Sequence, residues 1–217
     1  MELLYQDACM VVCLKPPGVL SEDHGEQSMP GLLRAQCGGY IGAVHRLDRA
    51  VGGVMVFSRN EAATGKLIRA FQQSGEKQYL AAVAGDPGES GVLEDLLYHD
   101  ARANKTFVVQ RMRKGVRQAR LRFQRLCCAA WNGQTLALVR VTLETGRTHQ
   151  IRTQFASRGM PIAGDRRYGS RVSCTPIALW SEQISLIHPE KMQRMTFRHA
   201  PPDGFPLWET PEPNEKE

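Results

Sequence analysis

The sequence predicts an α+β fold: a mainly antiparallel mixed β-sheet with flanking helices. Three observations carry this expectation. Apolar runs of strand length, bounded by Gly, Pro and Asp, outnumber helical patterns. Two of these runs are joined by WNGQ, whose Asn-Gly pair signals a tight hairpin. No regular alternation of strand and helix occurs, as a parallel sheet would require. With 217 residues and 42% hydrophobic content, the chain can bury one substantial core. Residues 1–208 read as one domain, followed by an acidic, disordered tail over 209–217.

Taken in order, CMVVCLKPPGV is a continuous apolar run stopped by Pro-Pro-Gly, the pattern of a buried strand entering a turn. The CMVVC spacing puts Cys9 and Cys13 on one side of that strand, with no second pair of ligands to complete a zinc site. MPGLLRAQC reads as a short helix and GGVMVFSRN as a strand. NEAATGKLIRAFQQSG places Ala62, Leu67, Ala70 and Phe71 at helical spacing behind Asn60, a natural helix cap. KQYLAAVAG is the next strand, and ARLRFQRLCCAAW and QTLALVRVTLE are the two arms of the Asn-Gly hairpin. RTHQIRTQFASRG reads as a helix stopping at Gly159, and IALWSEQISLI as a final strand.

Composition narrows the class. No apolar run approaches membrane-spanning length, and MELLYQDACMVV carries acids where a secretory leader needs basic residues, so the chain reads as soluble and cytoplasmic. Six irregularly spaced cysteines, two of them adjacent, do not form a disulfide framework. The net charge is +6; the tail ETPEPNEKE contributes −3, which leaves +9 on the rest of the chain. Such a basic body points to a polyanionic partner. Within RMRKGVRQARLRFQR, Arg120 and Arg122 share the strand face opposite Leu121 and Phe123. That face is either a solvated exterior or a rim for phosphates.

Several catalytic motifs are missing. HRLD lacks the downstream Asn, Gly-rich loop and DFG of a kinase, and no P-loop, HExxH, GxSxG or EF-hand pattern occurs. Three segments remain: HRLDRAVGG, KQYLAAVAG and LETGRTHQIR. Asp48, between an apolar Leu47 and a Gly-Gly strand entry, is placed for partial burial, and a buried carboxylate needs a cation or a proton. Either a neighbour, Arg46 or Arg49, pairs with it at the surface, or an arginine from elsewhere does so inside. Arg147, His149 and Arg152 lie at a helix start whose free N–H groups favour an anion.

These segments, in this order, resemble the RluA-type pseudouridine synthases. HRLDRAVGG is similar to the family's HRLDxxTSG, KQYLAAVAG to KxYxAxVxG, and TGRTHQIR with GMPIAGDRRYG to TGRxHQIR with GxPIxGDxxYG. VVCLKPPGVL and IALWSEQISLIHP resemble the opening and closing strands, so the likeness runs from about Tyr5 to His188. The resemblance implies isomerisation of uridine to pseudouridine in structured ribosomal or transfer RNA. It implies Asp48 as the catalytic nucleophile, Tyr79 as the ring stacking on the uracil, and Arg152 as the partner of the catalytic acid. Arg46 resembles the residue entering the RNA stack, and Arg147 and His149 residues contacting backbone or pocket. It implies no cofactor and no metal, an RNA stem-loop as partner, no membrane, and a monomer without the separate S4-type domain of many relatives. The alternatives are a catalytically silent RNA-binding protein on the same scaffold, and a glycoside hydrolase, for which no second motif acid stands out. One departure matters: Val51-Gly52 replaces the family's Thr-Ser, which is expected to loosen the loop after Asp48.

Overall fold

A computed structural model describes residues 1–208; the acidic stretch over 209–217, expected to be disordered, lies outside the described residues. The elements in chain order are β1 (Leu3–Gln6), β2 (Met10–Lys15), α1 (Met29–Cys37), β3 (Gly42–Ala43), β4 (Gly52–Ser58), α2 (Glu61–Ser74) and β5 (Glu76–Ala84). They continue with β6 (Ser90–Asp100), β7 (Lys105–Val109), β8 (Val116–Trp131), β9 (Gln134–Leu143), α3 (Gln150–Ala156), β10 (Leu179–Ile187) and β11 (Arg194–Arg198). The strands join in one 11-stranded sheet ordered β1-β2-β4-β10-β5-β9-β8-β6-β7, with β3 added to β4 and β11 to β10. Among the described strands only β4 and β10 pair in parallel, through Trp180 with Gly52 and Ser181 with Gly53. The α+β expectation holds.

The residues explain the elements. β2 and β4 lie side by side near the β1 edge of the sheet and bury both faces, which is why they read as unbroken apolar runs. Val11, Cys13, Met55 and Phe57 face one core cluster, and Cys9, Met10, Val12, Val54 and Val56 the other. Cys9 and Cys13 therefore do not share a side, contrary to the spacing argument: Cys9 precedes the first strand residue, Met10, so the two-residue alternation does not extend back to it.

Ser28 caps α1 by accepting the Gly31 N–H, and Pro30 occupies its first turn. Asn60 caps α2 by accepting the Ala63 N–H at 2.7 Å. The buried stripe of α2 carries Ala63 and Leu67, with Ile68, Ala70 and Phe71 partly covered; Ala62 is exposed, so the stripe lies one residue on from the expected start. The hairpin turn has Asn132 at φ 48 and Gly133 at φ 78, the left-handed pair that this two-residue connection requires. The larger cluster packs α1, α3 and the segment before β4 onto one sheet face; α2 covers the other.

Strands β1, β3, β6, β7 and β11 had no clear sequence signal. In β6 only Leu93 and Leu97 are fully buried, four residues apart, and the intervening Asp95 is satisfied by Gln154 Nε2 at 2.7 Å and Arg158 Nη1 at 2.9 Å. A strand with a polar position kept by tertiary partners loses its alternation.

Candidate active site

The segment joining β3 to β4 is fastened at its backbone. Leu47 and Val51 point into the core, and the carbonyls of Leu47, Arg49 and Val51 are all taken: Ser21 Oγ reaches the first at 2.9 Å, and Lys15 Nζ reaches the others at 3.1 and 2.7 Å. Lys15 is fully buried, and burial pushes its ammonium down to about 8 against the pull of the Asp48 charge. Val51 N–H closes a turn on the Asp48 carbonyl at 3.0 Å. The backbone is thus held on both sides of Asp48 while its side chain projects outward.

Gly52 does not loosen this loop. A Cβ there would lie 2.6 Å from Trp180 Cζ3 and 2.9 Å from Pro17 Cδ, so those groups fill the space a serine would occupy. Gly53, at φ 120, has the Ser181 carbonyl oxygen 2.3 Å from where a Cβ would stand, and only glycine fits. The expected looseness is corrected: Val51 is buried, and the chain is packed closely at Gly52.

Neither neighbouring arginine pairs with Asp48. Arg46 Nη1 lies 3.4 Å from Glu22, and Arg49 Nε donates to the Gly18 carbonyl. The partner is Arg152 on α3, whose Nη1 donates to Asp48 Oδ2 at 3.0 Å across 104 residues of sequence. The other edge of the same guanidinium forms a two-bond fork with Asp165, Nε to Oδ2 at 2.7 Å and Nη2 to Oδ1 at 2.9 Å. Burial opposes the Arg152 charge, but the two carboxylates outweigh it and hold the guanidinium above its ordinary value. Asp165 is buried by the turns after Ile162 and lies within GMPIAGDRRYG, although its role was not read there. A second acid therefore does stand at the site, locked against Arg152.

All six candidate residues, Arg46, Asp48, Tyr79, Arg147, His149 and Arg152, line one cleft of ≈ 370 Å³. That is within the range of small-ligand sites, about 300 to 1,000 Å³. Tyr79 pairs across the sheet with Ser181 and Val141, and it is both a core residue and a wall of the cleft. Burial, reinforced by the Asp48 charge, pushes its phenol above the ordinary tyrosine value, so the hydroxyl keeps its proton. Lys77, missed from sequence, joins the lining; burial alone pushes it down to about 8, and its ammonium sits 4.9 Å over the Phe71 ring.

α3 begins later than expected. His149 adopts φ 54 and the Gln150 N–H turns back to the Arg147 carbonyl, so Arg147 precedes the helix. The Gln150 side chain then accepts the Arg147 N–H at 3.0 Å. The expected helix-start anion patch is thus a turn, and the anion held beside Arg152 is the protein's own Asp48.

Residues 9–157 match the family of RNA pseudouridylate synthases. The dual-specificity RNA pseudouridine synthase RluA of Escherichia coli K12 is 33% identical over 210 residues, covering 93% of both chains. The chain belongs to this family. It is an RNA pseudouridine synthase, an isomerase of the RluA type. An uncharacterized RNA pseudouridine synthase of Aquifex aeolicus is 32% identical to the synthase over 94% of this chain and 70% of the other. A tRNA pseudouridine synthase C of Pasteurella multocida is 27% identical over 90% and 89%. In fold, the synthase resembles human RNA pseudouridylate synthase domain containing 1, with a TM-score of 0.80 at 20% identity over 93% of this chain and 83% of that one. No helix among the described residues is long and apolar enough to cross a membrane.

Proposed function

We propose that this synthase isomerises one uridine in a stem-loop of ribosomal or transfer RNA, with Asp48 as the nucleophile, acting as a cytoplasmic monomer without cofactor or metal. One observation carries the reading. Asp48 enters the cleft with Oδ2 bound by Arg152, while Oδ1 takes no hydrogen bond from the described residues. The bound oxygen orients the carboxylate and the open one is left to react. Oδ1 attacks the anomeric carbon as the bond to N1 breaks, with its electron pair going to the base. The uracil turns, C5 attacks the same carbon, and the carboxylate leaves. C5 then loses its proton and N1 gains one, so the product is an isomer of the substrate.

Tyr79 offers a ring face for the extruded uracil and a neutral hydroxyl near the base. Arg46, exposed at the cleft mouth beside Glu22, fills the vacated place in the stack, which offsets part of an unstacking cost of a few kcal/mol. Phosphate contacts fall to cations without an ion pair among the described residues. Arg120 and Arg122 do not qualify, because Glu94 and Glu144 engage them at 2.9 to 3.1 Å. Arg147 and the exposed group Arg111, Arg113, Lys114 and Arg117 do. The tRNA named in one relative, and the dual specificity named in another, support structured RNA as the substrate class.

The test is to map pseudouridine in cellular RNA with and without the protein, then to assay the lost site with purified wild type and Asp48→Asn. A site lost in cells and restored in vitro only by wild type supports the proposal. Unchanged RNA in cells, with stem-loop binding retained, favours a silent RNA-binding protein instead.

A further inference from the structure

His149 stands between the catalytic carboxylate and a second hydroxyl. Its Nε2 lies 3.6 Å from Asp48 Oδ2, the oxygen that Arg152 binds. Its Nδ1 lies 2.9 Å from the Tyr168 hydroxyl, and that hydroxyl accepts the Thr106 N–H at 2.8 Å. Thr106 is anchored in turn: its Oγ1 donates to the Thr148 carbonyl at 2.9 Å and lies 3.0 Å from His99 Nδ1. With the Thr106 hydrogen committed to that carbonyl, the His99 contact supplies its own hydrogen. Tyr168 is also held by its ring, which packs under the Arg152 guanidinium at 5.0 Å.

The hydrogen count of this chain fixes the imidazole. Burial pushes His149 down to about 4, against the opposing pull of Asp48, so near neutral pH the ring carries one hydrogen. A lone pair at Nε2 would face the negative Oδ2; a hydrogen there presents a donor to an acceptor. Nδ1 is then the lone pair, and it is the one acceptor within hydrogen-bond reach of the Tyr168 hydrogen among the described residues, because the other contact of that hydroxyl, the Thr106 N–H, is a donor.

We propose that Tyr168, anchored by Thr106, is a positioning residue that fixes His149 as its Nε2–H tautomer, giving Asp48 Oδ2 a second, neutral donor beside Arg152. This rests on the reading of Asp48 as nucleophile. The 3.6 Å separation is longer than a hydrogen bond and closes to one with a movement of about 0.6 Å when the cleft fills. Two donors on Oδ2 leave Oδ1 as the reacting atom. They also stabilise the charge that returns to the carboxylate when C5 displaces it, so their effect falls on turnover and not on RNA affinity.

The test combines NMR with kinetics. In wild type labelled with 15N-histidine, long-range ¹H–¹⁵N spectra should show a protonated Nε2 and a bare Nδ1 for His149. Tyr168→Phe should lower kcat about tenfold with KM unchanged. His149→Gln, whose amide N–H occupies the place of Nε2, should recover much of the activity that His149→Leu loses. Tyr168→Phe should have little further effect in the His149→Leu background. A wild-type His149 protonated at Nδ1 overturns the inference, and so does a Tyr168→Phe enzyme that melts earlier yet turns over normally. Asp48→Asn, assayed alongside, separates the two readings: activity there sinks the nucleophile assignment, whereas the tautomer is read in the free wild type independently of it.

Discussion

Gly52→Ser introduces the serine of the HRLDxxTSG pattern that this segment resembles, and it should make the protein worse. The new Cβ would stand 2.6 Å from Trp180 Cζ3, 2.9 Å from Pro17 Cδ and 3.1 Å from the Lys15 carbonyl. None of these yields easily. Trp180 is 7% exposed and its indole N–H donates to the His199 carbonyl at 3.0 Å, while the Lys15 backbone is paired in the sheet with Gly53. Overpacking of this kind costs about 1 to 3 kcal/mol. For a chain of this size that is roughly 2 to 4 °C of Tm per kcal/mol. Trp180→Leu alone should also destabilise, by about 2 to 4 kcal/mol, through a cavity. The double variant should be more stable than the two losses predict, by about 1 kcal/mol or more, because the smaller side chain relieves the clash. Urea denaturation of the four proteins measures this coupling. A Gly52→Ser protein as stable as wild type, or strictly additive losses in the double variant, would refute the claim that Trp180 and Pro17 occupy the serine's place.

Three further outcomes follow from the site. Arg152→Lys keeps a charge but cannot reproduce a guanidinium shared between two carboxylates, so single-turnover rates should fall about a hundredfold or more while the protein stays folded; equal rates would count against the shared bridge. Lys77 is a further cation without an ion pair among the described residues and lines the cleft itself, so Lys77→Met should raise KM and reduce the slope of log affinity against log salt by about 0.7 to 0.9, the signature of one lost phosphate contact; an unchanged slope assigns Lys77 to packing alone. Folding stability should fall as pH drops from 6.5 towards 4, since His149 titrates near 4 in the folded protein against 6.5 ordinarily and the unfolded chain takes up the proton first. His149 alone contributes about 2 to 3 kcal/mol by pH 4.5, and His45, held well below its usual value by burial, adds in the same direction. A urea series showing no loss between pH 7 and 4.5, or the same loss in His149→Leu, would contradict this.

What the sequence disclosed was local chemistry. The Asn60 cap, the Asn132-Gly133 turn and the doubly buried runs of β2 and β4 are each specified within a few residues, and they lie where the pattern puts them. What it concealed depends on pieces meeting across the chain. Asp48 reaches its arginine 104 positions away, and Asp165 was hidden because a carboxylate locked to that guanidinium has no spacing signature. Lys15, by donating to the carbonyls of Arg49 and Val51, explains the basic residue in VVCLKPPGVL only once β2 lies beside β4. The alternation in β8 was legible, but the choice between a solvated face and a phosphate rim for its arginines depends on Glu94 and Glu144, which pair with them from other strands and loops. Tyr168 was passed over for the same reason: its hydroxyl matters through Thr106 and His149, which arrive from β7 and the start of α3.

The central claim is that the open oxygen of Asp48 reacts with ribose. Its most direct test is single-turnover conversion of the mapped RNA stem-loop by Asp48→Asn, with binding measured in parallel. The account predicts RNA affinity within a few-fold of wild type and no pseudouridine over many wild-type half-lives. Conversion at the wild-type rate by the asparagine variant would contradict it.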